Sequence, residues 1–383
     1  MQNIIELIGT RGKTMNRRDF IKNASLVPAA AALGGVAQFM PSAYGAQTQW
    51  RVFEVTTRVE VLKPEGVTRV WLPLPLAQDT DYQKNLGSTW SAETGAAASV
   101  TDGKYGAQFV AAEWQAGTKA PVLTLTSRFA TIDRAVDLGK PANPVKAERA
   151  ELQRYLAATE YMPTDGIVRD TAREITKDVR GGNIEKSRAI YEWIVENTFR
   201  DPKTRGCGVG DIKTMLETQN LGGKCADLNA LFVGLARASG IPARDVYGVR
   251  VAKSEFGYKS LGVATDNITR AQHCRAEFYT DTHGWIPVDP ADVRKVVLEE
   301  KGGGALLSLD DAQVKAARAK LFGAWEMNWL AFNTAHDVAL PKAKSGKVAF
   351  LMYPQCETEA GLLDTLDPDN FRYQMTSREL KTA

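Results

Sequence analysis

Near residue 140 the hydrophobic pattern of this 383-residue chain changes period, which limits the fold to one where strands come first and helices follow. From residue 50 to about 138 the spacing is two: Phe53, Val55, Thr57, Val59 and Val61 alternate with Val52, Glu54, Thr56 and Arg58. Residues 67–74 and 122–129 repeat the β-branched and aromatic enrichment, and Gly, Asp and Ser clusters separate the runs. A strand with one apolar face needs a second sheet to cover it, so these runs predict an antiparallel β-sandwich of about 90 residues. A Pro-bearing link at 139–144 leads into helical sequence at 146–158, 166–179 and 184–198. In the last of these, Ile184, Ala189, Ile190, Trp193 and Ile194 form one apolar stripe. Residues 225–238 read as a further helix, with Leu228, Leu231, Phe232 and Leu235 on one face and Gly240-Ile241-Pro242 to end it. Strands are expected at 245–251, 270–279 and 285–289, a helix at 310–330 and a strand at 348–353. Trp325, Trp329 and Phe332 recur at helical spacing and are expected to be core residues. The order is α+β.

Charge excludes some partners. The formal net charge of +3 comes from residues 1–46, which hold five basic and two acidic side chains; the remainder is balanced. A neutral protein has no electrostatic reason to bind nucleic acid or an anionic membrane surface. Asn16-Arg17-Arg18-Asp19-Phe20-Ile21-Lys22 resembles the twin-arginine export signal. The Ala- and Gly-rich stretch at 24–40 is short and weakly hydrophobic for a membrane span. It ends in the small-residue run Pro41-Ser42-Ala43-Tyr44-Gly45-Ala46, suited to signal peptidase. Residues 1–46 are therefore expected to be a signal peptide, cleaved near Gly45 or Ala46 and read by the twin-arginine machinery. The protein would then leave the cytoplasm folded, act in the periplasm and keep no stable membrane insertion. Met15 is an alternative initiator.

Cys225 follows Gly222-Gly223-Lys224 and opens the predicted helix. A thiol there faces unpaired N–H groups and the positive end of the helix dipole, which favour thiolate. The two glycines are expected to let the backbone turn sharply, and the Cys225 N–H can help to bind an oxyanion. A free Cys beside a helix is more often simply buried, but His273 changes the weighing. In the strand at 271–279, alternation puts His273, Arg275, Glu277 and Tyr279 on one face, and Cys274, Ala276 and Phe278 on the other. The turn Asp281-Thr282-His283-Gly284 returns the chain into Trp285-Ile286-Pro287-Val288-Asp289. With the loop centred on Thr282, Asp289 lies opposite Arg275 and diagonal to His273 on the same face. A carboxylate there can fix the imidazole tautomer and stabilise its cation.

The run from Gly222-Gly223-Lys224-Cys225-Ala226-Asp227 to Ala238-Ser239-Gly240-Ile241-Pro242-Ala243-Arg244 resembles the Cys motif of the transglutaminase-like superfamily. His273-Cys274-Arg275-Ala276-Glu277-Phe278-Tyr279 resembles its His motif, and Trp285-Ile286-Pro287-Val288-Asp289-Pro290 its Asp motif. The likeness covers roughly residues 150–340. Arg275 stands where the family usually has Trp, which predicts a more polar wall beside the imidazole. The resemblance implies a papain-like α+β core with an N-terminal β-sandwich, and no required cofactor. It also implies Cys225 as nucleophile, His273 as general base and then acid, and Asp289 as the residue that orients His273. Gln219, six positions before Cys225, is the candidate for a second oxyanion donor.

The expected layout is a signal peptide at 1–46, a β-sandwich at 47–140, a catalytic domain at 145–340, and a C-terminal strand and tail at 341–383 packing on the core. His283 reads as a solvent-exposed turn residue, and His336 has no visible partner. Three His residues without Cys-x-x-Cys or His-x-x-x-His spacing do not predict a metal site. Of the four Cys, Cys207 and Cys274 are expected near the site, either as a periplasmic disulfide or as two thiols; Cys356 remains. Gly206-Cys207-Gly208-Val209-Gly210 lacks the following Lys-Ser/Thr of a phosphate loop. The expected function is acyl transfer from an amide of a peptide or protein, peptidoglycan peptides included, with water as acceptor. Cross-linking to a lysine amine and non-catalytic binding are the alternatives.

Overall fold

In the computed structural model, which describes residues 49–381 apart from Asn143 and Val145, the alternating N-terminal runs are strands. They are β1 (Arg51–Val61), β2 (Thr68–Pro73), β3 (Gln83–Ala92), β4 (Ala96–Thr101), β5 (Gln108–Trp114) and β6 (Val122–Thr131). The expected signal peptide lies outside the described residues. Further strands are β7 (Ala243–Arg250), β8 (Gln272–Thr280), β9 (Gly284–Val288), β10 (Trp329–Asn333), β11 (Gln355–Thr358), β12 (Gly361–Leu362) and β13 (Phe371–Leu380). The N-terminal strands fall into two antiparallel sheets, with orders β13-β1-β6-β3 and β12-β11-β2-β5-β4. Between them lie Val59, Val61, Leu72, Val110, Trp114 and Leu125, the inward residues of the alternating pattern. The tail was expected to pack on the core. Met375 does meet Val249 and Leu330 there. Its strands, however, pair with the N-terminal sheets: β13 runs beside β1 from Val52↔Leu380 to Val61↔Phe371, and β11 beside β2. Tail pairing covers edges that would otherwise be open to another chain.

The helices are α1 (Arg149–Arg154), α2 (Gly166–Thr176), α3 (Asn183–Asn197), α4 (Ile212–Thr218), α5 (Cys225–Ala238), α6 (Pro290–Glu299) and α7 (Ala312–Lys320). They surround an antiparallel sheet of order β9-β8-β7-β10. Every residue of α5 from Cys225 to Arg237 is buried, and Phe232 meets Phe278 of β8 with ring centroids 6.2 Å apart. The helix expected at 310–330 is shorter. Gly323, with φ 115°, breaks it after α7; Trp325 then enters a short pairing with Arg134, and Trp329 and Phe332 lie on β10. Both faces of β10 are buried, so it shows no alternation, and its apolar spacing matched a helix by coincidence. The expected core role of these residues holds, since Trp325 and Trp329 are wholly buried. Among the described residues no helix is long and apolar enough to cross a membrane.

Candidate active site

The first turn of α5 is fixed by the loop before it. Gly222 and Gly223 do not turn sharply as expected; they are extended and pair in parallel with Phe199 and Arg200. Their need is space. A Cβ on Gly222 would lie 2.3 Å from the Phe199 ring, and one on Gly223 2.5 Å from the Asp227 side chain. The left-handed glycines are Gly206, Gly208 and Gly210, with φ 56°, 94° and 80°. Asp227 latches that loop: its Oδ1 accepts the N–H groups of Val209 and Gly210 at 2.9 Å each, and its Oδ2 accepts that of Lys224 at 3.0 Å. The Ala226 N–H donates to the Cys207 carbonyl at 2.9 Å, which brings Cys207 beside Cys225. The loop read as a failed phosphate site is a clamp on the first turn of the helix.

The β8–β9 hairpin sets the other half. Thr280 pairs with Gly284 and Ala276 with Val288, so the register is the one expected from a loop centred on Thr282. His273 Nε2 and Asp289 Oδ2 are 2.7 Å apart. Asp289 also caps α6, its Oδ1 accepting the Asp292 N–H at 3.0 Å with Pro290 in the first helical position. Asn229, one turn after Cys225, donates from Nδ2 to the Cys274 carbonyl at 2.8 Å and to Asp289 Oδ1 at 3.3 Å. These bonds tie α5, β8 and α6 into one frame. With Nε2 of His273 held by carboxylate, Nδ1 is the nitrogen left for the cleft, whose wall His273 shares with Cys225.

Sequence reasoning missed the charges behind the imidazole. Asp292 Oδ2 lies 3.4 Å from His273 Nε2, and Arg250 Nη2 donates to both Asp292 oxygens at 2.5 and 2.7 Å. Arg275 Nε lies 3.7 Å from Asp289, and its guanidinium sits 4.7 Å from the Trp329 ring centroid. The wall is more polar than a Trp would make it, but this charge is fixed and covered. An acidic residue in a helix's first turn and an Arg at a strand end are too common to have marked Asp292 or Arg250 in advance.

These surroundings push the titrating groups apart. Burial and Arg250 push the His273 imidazole down, but Asp292 and Asp289 outweigh them and lift it to about 9. The Cys225 thiol falls well below its ordinary value because the thiols of Cys207 and Cys274 interact with its sulfur; burial opposes this and His273 assists. Burial and Asp292 raise Asp289, while Asp292 is drawn down against its burial by Arg250 and His273. Arg275 is lowered to about 10 by burial and Arg250, and stays charged at neutral pH. A thiolate beside an imidazolium is the pairing these directions favour.

The donor atoms of His273, Asp289 and Asp292 lie within 4.8 Å of one another, a spacing that would suit a metal ion. Both carboxylates already face a guanidinium, and the raised imidazole holds a proton at neutral pH. This set is arranged for a proton.

Gln219 does not reach the site: it is exposed, caps α4 with φ 58° and is not part of the cleft wall. The remaining candidate oxyanion donor is the Cys225 N–H, the first of α5. His283 is buried, not exposed as expected; it stays in the turn with Nδ1 2.8 Å from Thr282 Oγ1. His336 does have partners, Tyr247 and Asp245, and burial pushes it down. All four cysteines are free thiols, and Cys207 donates to the Gln272 carbonyl at 3.2 Å.

Residues 169–290 match the family model described as the transglutaminase-like superfamily. An uncharacterised protein of Haemophilus influenzae is 33% identical over 378 residues, covering 94% of this chain and all of that one. A crystal structure from Cytophaga hutchinsonii, provisionally described as a cysteine protease, is 17% identical and covers 87% of this chain and 99% of that one, with a TM-score of 0.48. The periplasmic domain of TgpA from Pseudomonas aeruginosa is 16% identical, with 63% and 92% covered and a TM-score of 0.31.

Proposed function

The chain belongs to the transglutaminase-like superfamily, and from that premise we propose that it transfers the acyl group of a peptide or protein amide to water through Cys225, His273 and Asp289. The observation that carries this reading is the 2.7 Å contact of His273 with Asp289 in the wall of the cleft that Cys225 opens. The Cys225 thiolate attacks the amide carbon, and the Cys225 N–H faces the developing oxyanion. His273 gives its proton to the departing amine, a thioester forms, and water that loses its proton to the now neutral His273 releases the acid and restores the thiolate–imidazolium pair. Asp289 holds Nε2, so that Nδ1 is the nitrogen presented to sulfur and substrate.

Charge favours water over a lysine amine as acceptor. Among the described residues Arg200, Lys224, Arg250, Arg270 and Lys295 line the cleft and no carboxylate does, so an ammonium arriving there is repelled. The paired arginines and small-residue run of residues 16–46 support a periplasmic site of action. Turnover of casein and of cell-wall peptides, with and without an added amine, tests the proposal. Release of free amine that requires both Cys225 and His273 is expected; equal release from Cys225→Ala would refute it.

A further inference from the structure

Five cations around one cleft need a reason, because like charges in a common cavity repel and natural surfaces usually intersperse the two signs. The cleft holds about 320 Å³ and opens between the start of α5, the end of β7 and the segment 262–273. Three of its cations have local partners: Arg200 and Lys295 share Glu299, the latter at 3.6 Å, and Arg250 holds Asp292. Lys224 and Arg270 have no ion pair among the described residues. Lys224 is half-buried directly before the nucleophile, and Arg270 is an exposed lining residue three positions before His273. Apart from the Cys225–His273 pair itself, the remaining wall is uncharged, from small residues such as Ala264 and Ala271 and the amides Asn267 and Gln272.

We infer that Lys224 and Arg270 select an acidic peptide, one with a carboxylate close to the scissile amide. The inference rests on the acyl-transfer reading above and names its substrate class. A carboxylate between these two side chains would supply the missing counter-charge and hold the neighbouring amide over the Cys225 sulfur. It could come from an acidic side chain or from a free C-terminus; the chemistry recognised is the same.

Two alkylating probes of similar size separate charge from reactivity: neutral iodoacetamide and anionic iodoacetate, with the Cys225 adduct assigned by peptide mapping. A change in thiolate fraction alters both rates, so their ratio reports only the field in the cleft. The iodoacetate-to-iodoacetamide ratio at Cys225 is expected to exceed that of free cysteine about tenfold or more. It should fall toward the free-cysteine value in the Lys224→Gln and Arg270→Gln double variant and in about 1 M salt, where the screening length shrinks to about 3 Å. The single variant Arg270→Gln alters an exposed side chain and should lower the ratio part of the way. Lys224→Arg should preserve it. A ratio no higher than that of free cysteine, or one insensitive to both substitutions, overturns the inference and leaves the acyl-transfer reading standing. If iodoacetamide itself reacts no faster with Cys225 than with free cysteine, both fall. Protection against iodoacetamide then identifies the carboxylate. Three N-acetylated tripeptides are compared: an amide with central glutamate, a free acid with central glutamine, and a neutral amide with central glutamine. Stronger protection by either acidic peptide than by the neutral one is expected; equal protection by all three contradicts the assignment.

Discussion

Glu277 and His273 project from the same face of β8, four residues apart, and each is buried among charges. Around Glu277 the charges close on themselves. Its carboxylate lies between Arg134 and Arg244, the second contact at 2.6 Å. Arg244 covers the Trp285 ring with 3.9 Å to its centroid. Burial pushes Glu277 up, but the two guanidinium groups outweigh it, so the carboxylate stays ionised. Around His273 the charges do not close. Two carboxylates and two guanidinium groups lie behind the ring, and in front is a cleft with a thiol whose affinity for protons moves opposite to that of the imidazole. The Glu277 cluster is a cross-link between segments distant in sequence; the His273 cluster keeps a proton movable. Burial alone does not make a site: groups with opposed shifts and an opening to solvent do.

The sharpest break between the two regions is expected from Cys225→Ala, which should lower turnover by at least about a thousandfold, with thermal unfolding nearly unchanged. Glu277→Gln should do the reverse. It removes the buried anion between Arg134 and Arg244 and leaves them only their outer carboxylates, Asp81 at 3.2 Å and Glu151 at 3.3 Å; the cost in a denaturant titration should be about 3 kcal/mol, while turnover per folded molecule is kept. Asp292→Asn should shift the alkaline limb of the activity profile to lower pH. Asp292 raises the His273 imidazole, so its neutralisation lets the proton leave earlier. The smallest effect is on stability against pH. Because folding raises His273 from 6.5 to about 9, its stabilising contribution is complete below about pH 6.5 and is lost as pH rises through about 9. The stability difference between wild type and His273→Gln should shrink over that interval. A difference that grows there would reverse the assignment of charge.

The parts of the site that sequence made legible are those joined by short, rule-bound connections. The thiol opens a helix whose ends coincide with the expected 225–238, and a tight hairpin fixes Asp289 opposite Arg275. The N-cap role of Asp289 was not read from the sequence, because an Asp-Pro step is as common in turns as at helix starts. What stayed hidden depends on contacts between distant segments. Nothing local in 371–380 says that it pairs with 51–61, and the choice between a disulfide and free thiols for Cys207 and Cys274 depends on how the loop latched by Asp227 seats them. Arg250 and Asp292 meet across 42 residues, and only the folded chain shows that they stand behind one imidazole.

The most direct test is the rate of Cys225 alkylation by iodoacetamide as a function of pH, in wild type and in His273→Ala. The ion-pair account predicts a thiolate that persists well below the ordinary range of a free Cys, about 8.5, and moves part of the way back when the imidazole is removed, the Cys207 and Cys274 thiols supplying the rest. An ordinary thiol titration in wild type, unchanged by loss of the ring, would contradict it.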